Sequence, residues 1–131
     1  MIAVDTKVLL RLLVNDDPVQ AAKARQLVDA RAGDDSSIWV SDTVLVELVW
    51  TLSRAYGRPR ADLLTALRAL ASHATLMIES ADAVRAAIEV FERSPADFSD
   101  CLLSEKARRA GCDRLVTFDK GMRALAGVAL L

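Results

Sequence analysis

The chain has 131 residues, of which 53% are hydrophobic and 27% are charged, and its formal net charge is −1. This apolar content excludes a disordered chain, and the length suits one domain over residues 1–131. The near-neutral charge excludes a strongly basic nucleic-acid-binding protein, although a local basic patch is still possible. Cys101 and Cys112 are too few for a disulfide scaffold, and no uninterrupted apolar run of about 18 residues is present. We expect a cytoplasmic protein with no membrane span.

Short apolar runs alternate with segments of helical periodicity along the chain. The runs predict strands at 1–4, 38–40, 75–78, 115–117 and 128–131. The periodic segments predict helices at 6–14, 21–32, about 43–56, 61–72, 81–92, about 99–110 and about 120–126. Pro18 suits a first helical turn, and Gly111 suits a helix end. This alternation is typical of the α/β class, and we expect a three-layer α/β/α fold with a central parallel sheet.

Two acidic residues directly follow predicted strands. Asp5 follows the first strand, and Asp119 closes Leu-Val-Thr-Phe-Asp at 115–119. In open α/β sheets, functional sites lie outside the carboxyl ends of the strands, so both positions are candidates. Each is equally explained as a helix N-cap. Asp100 has a similar structural explanation, in the first turn of a helix, and Asp97 with Asp100 resembles a capping box.

Glu47 differs from these three acids. It lies in Thr-Val-Leu-Val-Glu-Leu-Val-Trp-Thr-Leu at 43–52, a helix that is apolar on nearly every face. We expect most of this helix to be buried, and a buried carboxylate is costly unless it is paired or binds a metal. A buried ion pair and a metal ligand are both open interpretations.

Taken together, these acids suggest a cation site. Three or four converging carboxylates suit a hard divalent cation such as Mg²⁺ or Mn²⁺, because without a cation they would repel one another. Such an ion activates a water molecule and stabilises charge on a leaving oxygen of a phosphodiester. The sequence alone does not place these residues next to one another.

The chain resembles the PIN-domain ribonucleases of the VapC toxin type over essentially its whole length. The motifs that carry the resemblance are Met-Ile-Ala-Val-Asp-Thr at 1–6, Val-Ser-Asp-Thr-Val-Leu-Val-Glu-Leu-Val-Trp at 40–50, Asp-Phe-Ser-Asp-Cys-Leu-Leu-Ser-Glu-Lys-Ala at 97–107 and Leu-Val-Thr-Phe-Asp at 115–119. The resemblance implies a parallel sheet with its first strand central and an acidic site at the strand ends. It implies a metal-dependent endoribonuclease that leaves 5′-phosphate and 3′-hydroxyl ends.

The resemblance also assigns residues to this site. By position, the family's acids correspond to Asp5, Glu47, Asp100 and Asp119, which we expect to be both catalytic and metal-binding. Supporting roles follow for Asp97, Thr6 and Thr117. The implied cofactor is Mg²⁺ or Mn²⁺, and the implied partners are an RNA substrate and a cognate antitoxin whose C-terminal segment blocks the cleft.

Other functions were weighed against this one. A haloacid-dehalogenase-like phosphotransferase would need a second Asp two residues after Asp5, where Lys7 stands, and a response-regulator receiver would need acidic residues that are absent. A catalytically inactive PIN-like module that binds RNA or a partner is the alternative that stays open. Several basic residues are candidates for phosphate contacts: Lys7, Arg11, Arg54, Arg58, Arg60, Lys120 and Arg123. The apolar excess and Trp50 indicate a homodimer or a bound partner peptide.

Overall fold

The computed structural model describes all 131 residues. Residue contacts divide it into two compact units, Met1–Ser80 and Ala81–Leu131. None of its helices is long and apolar enough to cross a membrane.

The first unit is a small parallel sheet with four helices. Its elements are β1 (Ile2–Ala3), α1 (Thr6–Leu13), α2 (Pro18–Asp29), β2 (Ile38–Val40), α3 (Asp42–Arg54), α4 (Arg60–Ala71) and β3 (Leu76–Ile78). The strands are parallel in the order β1-β2-β3, with Ile38 of β2 in register with Ile2 and Leu76. Side chains from its helices and strands are almost fully buried and form its core: Leu9, Ile38, Val40, Leu45, Leu48 and Leu67.

Side-chain caps explain where three of these helices begin. Asp5 caps α1, Asp17 caps α2 with Pro18 in the first turn, and the Ser41 hydroxyl accepts a hydrogen bond from the Thr43 amide at the start of α3. Each cap satisfies an amide that has no partner inside the helix. The sequence therefore fixes the starts of these helices locally.

The second unit contains two helices and a strand pair. Its elements are α5 (Ala81–Arg93), α6 (Phe98–Arg109), β4 (Leu115–Thr117), a 3₁₀ turn (Lys120–Met122) and β5 (Val128–Leu130). The two strands are parallel, and Phe91 of α5 meets Phe98 of α6 edge to face, with ring centroids 6.0 Å apart and planes 77° apart. Both rings are almost fully buried, so this aromatic pair anchors the two helices.

Two structural expectations need correction. The first strand is not central in its sheet, because the two-residue β1 pairs with β2 alone and lies at the edge. The helix expected over about 120–126 is only the 3₁₀ turn Lys120–Met122, which Gly121 and the following Gly127 help to keep short, Gly127 having a φ of 76°. The strand predicted at 115–117 is confirmed without change.

Candidate active site

In the first unit, Thr6 connects two candidate acids, because it directly follows Asp5 in the chain and forms a hydrogen bond with Glu47. Asp5 follows β1, and its Oδ1 accepts a hydrogen bond from the Val8 amide at 3.2 Å. Thr6, the first residue of α1, is 7% exposed, and its Oγ1 donates to Oε2 of Glu47 at 2.8 Å. The predicted supporting role of Thr6 thus has a contact behind it: the residue directly after one acid orients the other.

The expectation that Glu47 is buried is wrong. The side chain lies exposed on α3, and the same face carries Trp50, which is 63% exposed. The opposite face buries Leu45, Leu48 and Leu52. Because the helix is apolar in composition, its exposed stripe was not recognised from the sequence. Glu47 therefore needs no buried counter-charge, and its carboxylate faces the surroundings with one oxygen held by Thr6.

In the second unit, three acids share one neighbourhood. Asp100 lies half-buried in the first turn of α6, and its pKa is raised above the ordinary range by burial, then by the charges of Asp97 and Asp119. Asp97 occupies the N-cap position without a side-chain cap bond, so the capping box predicted for Asp97 and Asp100 does not form. Negative charge accumulates around Asp100, and a cation would relieve that repulsion.

Asp119 is held in a fixed orientation by its own turn. Its Oδ1 accepts from the Gly121 amide at 2.8 Å, and its backbone amide donates to Oγ1 of Thr117 at 2.9 Å. A Cβ added at Gly121 would lie 3.0 Å from Oδ1 of Asp119, which is tighter than most real contacts. Thr117 and Gly121 therefore both shape the carboxylate position, and the sequence pointed only to Thr117.

The caps offered as ordinary explanations for Asp5 and Asp119 are real. In each case, however, only one carboxylate oxygen makes the cap bond, as Oε2 alone of Glu47 bonds to Thr6. The second oxygen of each acid is left for a cation, and carboxylate oxygens are the donors that Mg²⁺ and Mn²⁺ prefer. The chemistry of the donor set therefore fits the implied ion.

No group of three or more His, Cys, Asp or Glu side chains within either unit is arranged so that it could hold a metal ion. That includes Asp97, Asp100 and Asp119, which interact through charge. The four-acid metal site expected from the sequence thus stays a prediction.

A polar clamp that the sequence did not reveal joins the start of α3 to Glu79 and Ser80, the two residues that directly follow β3. Asp42 is only 6% exposed, and it accepts from the amide of Ser80 at 3.1 Å and from its hydroxyl at 2.6 Å. Oε1 of Glu79 accepts in return from the Asp42 amide at 3.0 Å and the Ser41 hydroxyl at 3.2 Å. No local sequence pattern contains this contact, because Asp42 and Ser80 are 38 residues apart.

A groove of about 320 Å³ lies between α1 and α2. Its lining is mostly apolar in character between basic side chains: Lys7, Val8, Arg11, Gln20, Lys23, Ala24 and Leu27. Arg11 is already engaged, with one terminal guanidinium nitrogen 2.6 Å from Oδ1 of Asp16 and its Nε donating to Gln20. Among the basic candidates for phosphate binding, Arg11 is therefore committed to this intramolecular network.

One family of known proteins matches almost the whole length of this chain. The profile of the PIN domain family matches residues 2–128. This chain belongs to the PIN domain family, and the predicted α/β fold with parallel strands is confirmed.

Two known proteins are also individually similar to this chain. The chain is 26% identical over 121 residues to a VapC ribonuclease of Aquifex aeolicus (strain VF5), covering 92% of this chain and 89% of that protein. It also matches the crystal structure of Mycobacterium tuberculosis VapC20, described as a Sarcin-Ricin loop cleaving toxin, with a TM-score of 0.45 and 21% identity over 94% of this chain and 92% of that one. The predicted resemblance to VapC-type PIN proteins is confirmed.

Proposed function

We propose that this protein is a metal-dependent endoribonuclease, acting as the toxin of a toxin–antitoxin pair. In this proposal Asp5, Glu47, Asp100 and Asp119 hold one Mg²⁺ or Mn²⁺ site, and both units belong to one nuclease domain. The observation that carries it is the 2.8 Å hydrogen bond from Thr6 to Glu47, because it ties the second proposed ligand to the residue beside the first. Membership of the PIN family and similarity to a VapC ribonuclease support the RNA-cleaving activity.

The chain's own residues have distinct tasks in this proposal. Thr6 donates to one oxygen of Glu47, so that carboxylate is oriented before a cation arrives. The Gly121 amide donates to one oxygen of Asp119 in the same way, and Thr117 accepts from the backbone amide of Asp119 and holds that turn in place. Asp97 adds negative charge next to Asp100, which favours cation binding there. A divalent ion held by these acids would activate the attacking water and stabilise the leaving oxygen.

The products proposed for the reaction are a 5′-phosphate and a 3′-hydroxyl end. To leave these two ends, water must attack phosphorus, and the bond between phosphorus and the 3′ oxygen must break. Because water is the nucleophile and the 3′ oxygen is the leaving group, the step needs no covalent bond to the protein, and the four carboxylates would only hold the cation that activates the water.

Proposed partners follow from the toxin assignment. A cognate antitoxin would silence the enzyme by placing a basic residue among the carboxylates, which is favoured by charge complementarity. The groove between α1 and α2, apolar with Lys7 and Lys23 on its lining, suits a further part of such a partner. We also propose a cytoplasmic homodimer. Its free cysteines Cys101 and Cys112 agree with a reducing compartment.

The experiment is cleavage-site mapping on total cellular RNA with Mg²⁺ or Mn²⁺. The wild-type chain should cut RNA and leave 5′-phosphate ends, and Asp5→Asn should abolish cleavage while its circular dichroism spectrum is unchanged. Asp62→Asn is the matched control, since Asp62 is an exposed acid in the first turn of α4. Cleavage by Asp5→Asn at the wild-type rate would refute the metal-site proposal.

A further inference from the structure

Two aromatic side chains of this protein lie open to the surroundings, and the others do not. The chain contains six aromatic residues. Phe91 and Phe98 are buried, and Trp39 and Tyr56 are partly covered. Trp50 in the first unit is 63% exposed, and Phe118 in the second is 78% exposed. Among the exposed large hydrophobic side chains, these two alone offer a flat aromatic face on which another ring can stack.

Trp50 has an acid on one side and a cation on the other. It lies on the exposed stripe of α3, three residues after Glu47 and four residues before Arg54, and all three side chains are exposed. Helical spacing places these residues on one face, with Glu47 and Arg54 separated by about 10 Å along the axis. The proposed ligand acid, the indole and the guanidinium therefore form one continuous surface on α3.

Phe118 repeats this combination in the second unit. It directly precedes Asp119, and Lys120 directly follows that acid, all three being exposed. The backbone of this turn is fixed by the bond from the Asp119 amide to Thr117. Each unit thus presents one exposed aromatic ring beside one proposed ligand acid and one cation.

Resting on the proposed ribonuclease function, we propose that Trp50, beside Glu47, and Phe118, beside Asp119, each stack against an unpaired nucleobase of the RNA substrate. The substrate is then single-stranded RNA, or an unpaired loop, whose bases are free to leave their own stack. Aromatic rings accept any base by its flat face, and an adjacent Arg or Lys can hold the phosphate of the same nucleotide.

The surroundings of Trp50 favour RNA over a second copy of the chain, whereas exposed apolar side chains lie close to Phe118 in or next to the β4–β5 strand pair, at Val116, Leu130 and Leu131. The centres of protein interfaces are depleted in charged residues. Here, each ring has an acid within three residues and a cation within four. A base with its attached phosphate matches such a mixed surface, whereas an apolar interface would leave these charges without water.

The test asks whether RNA binding depends on the aromatic ring at positions 50 and 118 or only on an apolar side chain there. Binding of a labelled single-stranded RNA of about 12 nucleotides is measured in an Asp5→Asn background, so that cleavage does not interfere. Trp50→Leu and Phe118→Leu replace each ring by a smaller apolar side chain without an aromatic face, and each should weaken binding roughly 5- to 150-fold. Trp50→Phe and Phe118→Tyr should retain most of the affinity. Val19→Ala, which trims a 66% exposed apolar residue on α2, should not change it.

A second readout follows the indole directly. In an Asp5→Asn, Trp39→Phe background, Trp50 is the only tryptophan. Single-stranded RNA should quench its fluorescence, and a perfect duplex of the same sequence should do so far less. Light scattering on each variant reports the molecular mass, which should not change.

Several outcomes would overturn the inference. The Leu variants could bind single-stranded RNA as tightly as their parent, or the parent could fail to bind it. A mass that falls by half in Trp50→Leu with RNA binding intact would assign Trp50 to a contact between copies. None of these results depends on cleavage, so they are distinguishable from failure of the ribonuclease proposal, which is the absence of cutting by the wild-type chain with Mg²⁺ or Mn²⁺.

Discussion

Thr6→Val separates orientation of Glu47 from stability of the fold. Thr6 is 7% exposed and donates to Oε2 of Glu47 at 2.8 Å. A hydrogen bond to a charged group contributes about 1.5–3 kcal/mol when buried, and exposure of Glu47 reduces this to about 1 kcal/mol because water replaces the donor. The methyl that replaces the hydroxyl recovers about 0.8 kcal/mol by burial. The free energy of unfolding should therefore change very little.

Cleavage should respond much more than stability. Without its donor, the Glu47 carboxylate samples several rotamers, and loss of a group that orients a metal ligand typically costs about 10–100-fold in metal affinity or activity. We expect Thr6→Val to raise the Mg²⁺ concentration needed for half-maximal cleavage and to lower kcat/KM by that factor, with a Tm within roughly 3 °C of wild type. The assay is a metal titration of cleavage of a labelled RNA, with calorimetry on the same samples.

Thr6→Ser serves as the control, because it keeps the hydroxyl and loses only a methyl. It should retain most of the cleavage activity. The reasoning is refuted if Thr6→Val cleaves within about twofold of wild type, a difference of about 0.4 kcal/mol, at limiting Mg²⁺.

Two further changes test other contacts of the structure. Gly121→Ala should lower cleavage without unfolding the chain. The new Cβ would lie 3.0 Å from Oδ1 of Asp119 and force that carboxylate out of its hydrogen bond with the residue 121 amide. Cleavage activity and Tm are measured on the same samples, and full activity would contradict the prediction. Tyr56→Phe should destabilise the protein at neutral pH, and its difference in stability from wild type should shrink as the pH falls below 3.8. The hydrogen bond from the Tyr56 hydroxyl, and to a smaller extent the charge of Arg11, lower the pKa of Asp16 below its ordinary value of 3.8. The resulting stabilisation is fully present above 3.8 and disappears as the pH falls through the lower pKa of the folded state. Tm measured from pH 7 to pH 3 gives the comparison, and an equal difference at every pH would show that Asp16 is not involved.

Local chemistry explains why most elements could be predicted from the sequence. Helix starts at Asp5, Asp17 and Ser41 depend on side chains that bond within two or three residues, and Pro18 fits the first turn of α2 as expected. The element that was wrong lies over about 120–126. There, Gly121 lowers helix propensity, and only one 3₁₀ turn forms.

The candidate site was less accessible from the sequence, because it depends on which side of an element faces the core. The apolar composition of α3 suggested that Glu47 is buried, and the structure exposes it on a stripe with Trp50. The contact of Thr6 with Glu47 spans 41 positions, so no local pattern contains it. The resemblance to PIN proteins, and not local reasoning about burial, is what singles out Asp5, Glu47, Asp100 and Asp119, and their joint metal binding stays a prediction.

The clamp between the start of α3 and the Glu79–Ser80 turn has a consequence for local unfolding. Asp42 accepts hydrogen bonds from Ser80, and Glu79 accepts them from Asp42 and Ser41, so neither segment can open without removing acceptors from the other. The amides of Asp42 and Ser80 should therefore exchange with deuterium at similar rates, as one opening unit. Glu47 lies little more than one turn after Asp42 on α3. Local opening of the helix start that carries it is therefore coupled to opening of the Glu79–Ser80 turn.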